Sequence, residues 1–132
     1  MSNPIKVHKA PEGKLKQLVE AGANALFSDE PPDVGDGGGL DPHELLDAAL
    51  GACTAMTVTL VARRKQMPLA DVRVTISHVE DNDNYRLSRS VELVGELTAE
   101  QRQYLLGIAN KCPIHRALLK KISIDTVLAG AA

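Results

Sequence analysis

The sequence predicts an α+β fold, an antiparallel sheet packed around one long central helix. Three observations predict it. Short alternating segments come in pairs joined by turn residues, a 15-residue uncharged stretch from Ala48 to Ala62 sits inside a helical pattern, and strands and helices fall in blocks rather than in single alternation. At 132 residues and 44% apolar, the chain suits a single domain over 1–132 whose core needs neither a disulfide nor a structural metal.

In chain order, Lys14 to Glu20 alternates apolar with polar, Ala21-Gly22 supplies a turn, and Ala23 to Ser28 resumes the apolar run, which predicts a hairpin. The stretch from Asp29 to Pro42 carries prolines and the glycines Gly35, Gly37, Gly38 and Gly39 and predicts a mobile connector. It has neither a GxxxxGK motif nor a GxGxxG following a strand, so nothing in it selects a nucleotide phosphate.

Asp41 can cap a helix and Pro42 is at home in its first position. Arg63, Arg64 and Lys65 suit the other end, before Met67-Pro68 stops it, giving about 24 residues and about 36 Å. The middle of this helix is apolar nearly all round, with Gly51, Ala52, Thr54, Ala55, Thr57 and Thr59 as its small residues. Such a helix wants neighbours on every side, more than one small subunit supplies, and an intertwined homodimer is expected.

Val72, Val74 and Ile76 then alternate with polar residues, Asp81 to Asn84 turn the chain, and Tyr85 to Leu97 returns as a strand. Thr98 with Gln101 forms a capping box for a helix ending near Asn110. Pro113 opens a short helix to about Lys120, and Ile122 to Leu128 reads as a last strand. There is no internal repeat.

With 15 basic and 17 acidic side chains and three aromatics, Phe27, Tyr85 and Tyr104, the chain lacks the basic groove and stacking platforms of a nucleic-acid binder. MSNPIKVHKAPEG has no apolar run of signal-peptide type, and the uncharged stretch falls short of the roughly 20 residues that span a bilayer, so a cytoplasmic protein with no membrane partner is expected.

The two cysteines, Cys53 and Cys112, lie 59 positions apart. In a reducing compartment a purely structural disulfide is rare, so a bond between them would be chemistry. Cys112 directly precedes Pro113, at a helix start where free amides favour thiolate, and Lys111 and His115 add positive charge. Cys53 is mid-helix, where an isolated cysteine is most simply a small buried hydrophobe. His43 fits either a solvated first-turn residue or one that helps set thiolate charge; His8 and His78 read as structural or solvated. His115 with Cys53 and either His43 or His78 could be drawn as a metal site, but the spacing is not that of a zinc ribbon, and no metal or cofactor is expected.

DPHELLDAALGACTAMT, with NKCPIHRAL downstream, resembles the osmotically inducible protein C and organic hydroperoxide resistance (OsmC/Ohr) family over nearly the whole chain. ELLDAALGACTAMT is closer to its OsmC-like branch. The resemblance implies an intertwined homodimer with two interface sites that reduce organic hydroperoxides by two cysteines, reset by an external dithiol. Cys53 matches the peroxidatic position, which attacks the peroxide and becomes a sulfenic acid, and Cys112 the resolving position, which closes a disulfide. Leu50, Met56 and Leu60 on the same helix would wall an apolar substrate.

Two positions depart from the family pattern. The family's acidic partner follows the proline directly, whereas here His43 stands there and Glu44 comes next, about 13 Å along a continuous helix from Cys53. Glu44 and His43 are therefore the candidate partners. The resemblance also implies an arginine from the N-terminal strands, and this chain has no arginine before Arg63, leaving Lys14, Lys16 or Arg116 as substitutes, of which the lysines are point charges without the guanidinium's planar fork. The missing N-terminal arginine favours a competing reading, a non-catalytic dimer that binds a small apolar ligand or a partner.

Overall fold

A computed structural model describes residues 3–130. Three antiparallel strands open the chain, β1 (Ile5–Lys9), β2 (Gln17–Ala21) and β3 (Asn24–Ser28), with β2 in the middle. Helix α1 (Pro42–Arg64) follows, then the hairpin β4 (Leu69–Glu80) and β5 (Tyr85–Gly95), and the helices α2 (Ala99–Ala109) and α3 (Pro113–Leu118). The chain divides into two compact units, one up to Ala49 and one from Leu50.

In the first unit the expected hairpin is present as β2 and β3, and β1 is an additional strand. Its alternation of Ile5 and Val7 with Lys6 and His8 is only five residues long. The segment after β3 is not the loose connector its composition suggests. Asp29 is buried, and its carboxylate accepts hydrogen bonds from the amides of Glu30 (2.8 Å), Gly38 (3.0 Å) and Asp36 (3.3 Å). Ser28 and Asp29 also bind Leu40 O, through the Ser28 hydroxyl (2.7 Å) and the Asp29 amide (3.2 Å). Gly35 and Gly39 pack so closely on Asp29 and on the Phe27 carbonyl that a Cβ at either would collide with them. The glycines are there for close approach, not for freedom.

Burial pushes the Asp29 carboxyl up, but the amides of Gly38, Glu30 and Asp36 and the charge of Lys16 outweigh it, and the group lies below its ordinary 3.8. Its ionised form therefore stabilises this loop fully above the unfolded value, and that contribution is lost as pH falls through the lower folded value.

α1 begins with a capping box: Glu44 N donates to Asp41 Oδ1 (2.8 Å) and Asp41 N to Glu44 Oε1 (2.9 Å). It ends where Gln66 turns left-handed (φ 54°) and Met67 N bonds Ala62 O (2.9 Å), just before Pro68. Only Leu50, Thr54, Val58 and Ala62 are buried, one residue in four along a single stripe. Length and composition alone would also let α1 cross a bilayer. Here Val58 and Ala62 pack instead with Leu105, Ile108 and Ala109 of α2, and Val72, Val91 and Leu93 of the hairpin close over them.

The hairpin alternates cleanly. Val72, Val74, Ile76 and His78 of β4 face inward opposite Leu93, Val91, Arg89 and Leu87 of β5. Asp81 holds the turn by accepting from Asp83 N (2.9 Å) and Asn84 N (2.8 Å). The Thr98–Gln101 capping box is present at α2, and Arg102 ties α2 to β5 by donating to Leu93 O (2.7 Å) and Gly95 O (2.9 Å). The expected last strand is absent. Ile122 to Leu128 has no strand pairing, and Ile124, Val127 and Leu128 are 85%, 87% and 96% exposed. The β pattern is real, but a strand forms only where an edge pairs with it.

Two outcomes are expected. Asp29→Asn lowers the melting temperature at pH 7, and its difference from the parent protein shrinks below pH 4, as followed by circular dichroism. Leu105→Ala, at a side chain with no exposure, costs about 2–5 kcal/mol in urea unfolding.

Candidate functional site

The second unit brings both cysteines to one polar cluster. Cys112 is the N-cap of α3, with extended backbone (φ −67°, ψ 144°) and Pro113 directly after it. Its sulfur accepts the His115 amide at 3.2 Å, filling the role a Ser or Asp oxygen plays at other helix starts. Thr54, buried on α1, places its hydroxyl 3.8 Å from the same sulfur. Cys112 has no exposed surface, whereas Cys53, one residue before Thr54, is half-buried, and both are free thiols.

The cluster turns on Arg89. Along β5 the inward positions are Tyr85, Leu87, Arg89, Val91 and Leu93, so a guanidinium stands where the pattern calls for an apolar side chain. Nη1 donates to Thr54 Oγ1 (3.1 Å), and Nη2 to Asn110 Oδ1 (2.8 Å) and to His115 Nδ1 (3.1 Å). Arginine can only donate, so Nδ1 is the accepting nitrogen of His115. One side chain thereby joins α1, the C-cap of α2 and α3. Its sequence signal is the broken alternation of YRLSRSVEL in β5, and it does not come from the N-terminal strands.

Burial pushes the Cys112 thiol up. The His115 amide, the Thr54 hydroxyl and the Cys53 thiol that hydrogen-bond to its sulfur, with the positive charge of Arg89, outweigh that and hold it below its ordinary 9.0. The Thr54 hydroxyl has one proton and two claimants, Leu50 O at 2.7 Å and the Cys112 sulfur. With Arg89 donating into its oxygen, that proton can turn to a thiolate without leaving the oxygen unpaired.

Cys53 has a second polar neighbour besides Cys112. Cys53 Sγ lies 4.0 Å from the Thr57 hydroxyl, one turn along α1. Glu44 is engaged in the capping box with Asp41, and α1 runs from Pro42 to Arg64. His43 is exposed in the first turn. Leu50 lines a cavity of about 210 Å³ together with Leu87, Leu118 and Leu119, and Arg89 and His115 supply its polar wall. Met56 and Leu60 line a different, open groove of about 580 Å³ beside Leu69 and Val72. Among the described residues no group of three or more His, Cys, Asp or Glu side chains could hold a metal ion.

A long helix carrying one cysteine, a second cysteine capping a short helix, and an antiparallel hairpin over both define an α+β fold with a paired-thiol site. The model of the OsmC-like protein family matches residues 35–127, and the chain belongs to that family. Solved structures share the fold. An OsmC-like protein from Mycoplasma pneumoniae is 15% identical with a TM-score of 0.74, over 88% of this chain and 86% of that one. The organic hydroperoxide resistance protein OsmC from Legionella pneumophila is 23% identical with a TM-score of 0.64, covering 90% and 89%. The organic hydroperoxide resistance protein OhrB of Bacillus subtilis is 16% identical with a TM-score of 0.62, covering 90% of each. No curated protein matches the sequence.

Thr54→Val keeps the shape but leaves an Arg89 N–H unpaired, which is expected to cost about 1–3 kcal/mol in denaturant unfolding. A thiol held below its unfolded value stabilises the fold in full above that value, and the contribution fades as pH falls through the folded value. The gap between Thr54→Val and the parent protein therefore widens toward pH 9 and narrows toward pH 6.

Proposed function

We propose that this protein is a homodimeric, two-cysteine thiol peroxidase acting on hydrophobic organic hydroperoxides in the cytoplasm. The observation that carries the reading is that Cys53 and Cys112, both free, lie within hydrogen-bond reach of one another in the OsmC-like fold, with Thr54 beside the Cys112 sulfur. The half-buried Cys53 thiolate attacks the outer peroxide oxygen, the O–O bond breaks, and the alkoxide leaves as the alcohol after taking a proton. Cys53 is then a sulfenic acid. Cys112 attacks its sulfur and expels hydroxide, forming the disulfide, and an external dithiol restores both thiols by exchange. Leu50, Met56 and Leu60 contribute apolar walls, and no bound cofactor enters the scheme.

Exposed apolar surface supports the homodimer. Met56 is 71% exposed on α1, the sheet of β1 to β3 leaves Ile5, Val7, Leu26 and Phe27 exposed, and Ile124 to Leu128 is bare. A second copy is the partner such an extensive apolar surface suits. Glu44 and His43 are proposed as contributors to the first cysteine's chemistry only through a partner subunit.

One observation favours the alternative of a non-catalytic dimer that binds an apolar ligand. The guanidinium of this site attends Cys112, while Cys53 has the Thr57 hydroxyl and the Cys112 thiol beside it and, among the described residues, no such cation. Intact-mass and free-thiol counting after one equivalent of cumene hydroperoxide separates the two. The peroxidase loses two thiols and two mass units, Cys112→Ser stalls at a sulfenic acid, and Cys53→Ser does not react. Thiol loss no faster than that of free cysteine would leave the binding reading in its place.

A further inference from the structure

Arg89 does work that the two-cysteine scheme leaves unassigned. It stands on the inner face of an otherwise apolar strand, and its three partners, the Thr54 hydroxyl, the Asn110 amide oxygen and the His115 Nδ1, are uncharged. Arg89 is half-buried, and drawing a guanidinium partly out of water among neutral acceptors is offset best where an anion faces it. The candidate anion is the Cys112 thiolate. Cys112 Sγ is fully buried, receives the His115 amide at 3.2 Å, and lies 3.8 Å from the hydroxyl into which Arg89 donates.

We propose that Arg89, acting through Thr54 and beside His115, is the positioning residue that holds Cys112 ready as the resolving thiolate. This rests on the peroxidase reading for its consequence. Held in this way, Cys112 ionises more readily than an ordinary thiol, so a larger share of it is the thiolate that closes the disulfide. The Cys112 sulfur forms the S–S bond, the S–O bond of the Cys53 sulfenic acid breaks, and hydroxide leaves to solvent, where a buffer acid protonates it to water. Cys53 stays a sulfenic acid only briefly and escapes further oxidation to sulfinic acid.

The surroundings leave few other groups to set this charge. From α1 come Cys53 and Thr54, from β5 Arg89, from the end of α2 Asn110, and from its own segment His115 and the exposed Lys111. On β4 the residue paired with Arg89 is Ile76, and His78 pairs with Leu87 one step further along.

The test reads thiolate absorbance at 240 nm from pH 5 to 10 in a Cys53→Ser background, where Cys112 is the only thiol, with the double Cys→Ser protein subtracting tyrosinate. Arg89→Gln shifts the Cys112 titration to higher pH, and Arg89→Lys, which keeps the charge and loses the fork, falls between. In the protein with both cysteines, Arg89→Gln slows disulfide closure after a hydroperoxide pulse about tenfold at neutral pH, through the smaller thiolate fraction. The loss disappears at high pH, and sulfinic acid accumulates at Cys53. A merely structural role predicts the same titration for all three proteins, and superimposable curves for Arg and Gln with intact circular dichroism would overturn the proposal. If Arg89→Gln does not fold, Arg89→Lys against Thr54→Val gives the same reading, and unchanged curves in both overturn it equally. Should hydroperoxide oxidise neither thiol while the 240 nm shift is present, the peroxidase reading fails and the assignment of Arg89 to the Cys112 thiolate stands.

Discussion

A half-buried positive charge organises the second unit. β5 is an alternating strand whose inner face would be apolar throughout but for Arg89, and the five N–H donors of a guanidinium must find acceptors once they leave water. The acceptors come from three helices: Thr54 from α1, Asn110 from the end of α2 and His115 from α3. Each is thereby fixed in orientation by the same side chain. The apolar cluster of Val58, Ala62, Leu105, Ile108 and Ala109 supplies cohesion, while the arginine supplies direction, since hydrogen bonds restrict angle as dispersion contacts do not. The position of Cys112 follows. Its sulfur is set by the helix it caps, and that helix is held through His115.

The two thiols consequently live in different chemical worlds although they share a cluster. Cys112 is enclosed, with an amide, a hydroxyl and a nearby cation around its sulfur. Cys53 is half-open and faces a hydroxyl one turn away. Such an arrangement separates access from ionisation: one sulfur is reachable, the other is electrostatically prepared. Enclosure also protects the prepared thiol from chance oxidants, because a thiolate reacts only where a partner can reach it.

Much of this was legible in the sequence. The long helix, both hairpins and the Thr98–Gln101 box carry local signals, namely periodicity, turn residues and a reciprocal cap, and all are present. β1 escaped notice because five residues with two lysines and a histidine offer too short a pattern to stand out. Ile122 to Leu128 erred in the other direction: its pattern suits a strand, but pairing is a property of two segments and no local sequence guarantees the second. The cysteine pair was legible through its flanking residues. Arg89 was written in the alternation of β5, yet its significance depends on Thr54, Asn110 and His115, which are 35, 21 and 26 positions away and meet only in the folded chain.

The segment from Asp29 to Leu40 has a composition that usually signals slack. Here a single carboxylate gathers three amides, and glycines occur where a methyl group would strike a carbonyl or that same carboxylate. Such a segment behaves as a joint of fixed length. Surface loops of similar composition are the customary places to insert a tag, an epitope or a new chain terminus, because lengthening them costs little entropy. Lengthening this one by even a residue would break the ring of donors around Asp29 and release Ser28 from Leu40, so its tolerance to insertion should resemble that of a helix interior rather than that of a linker.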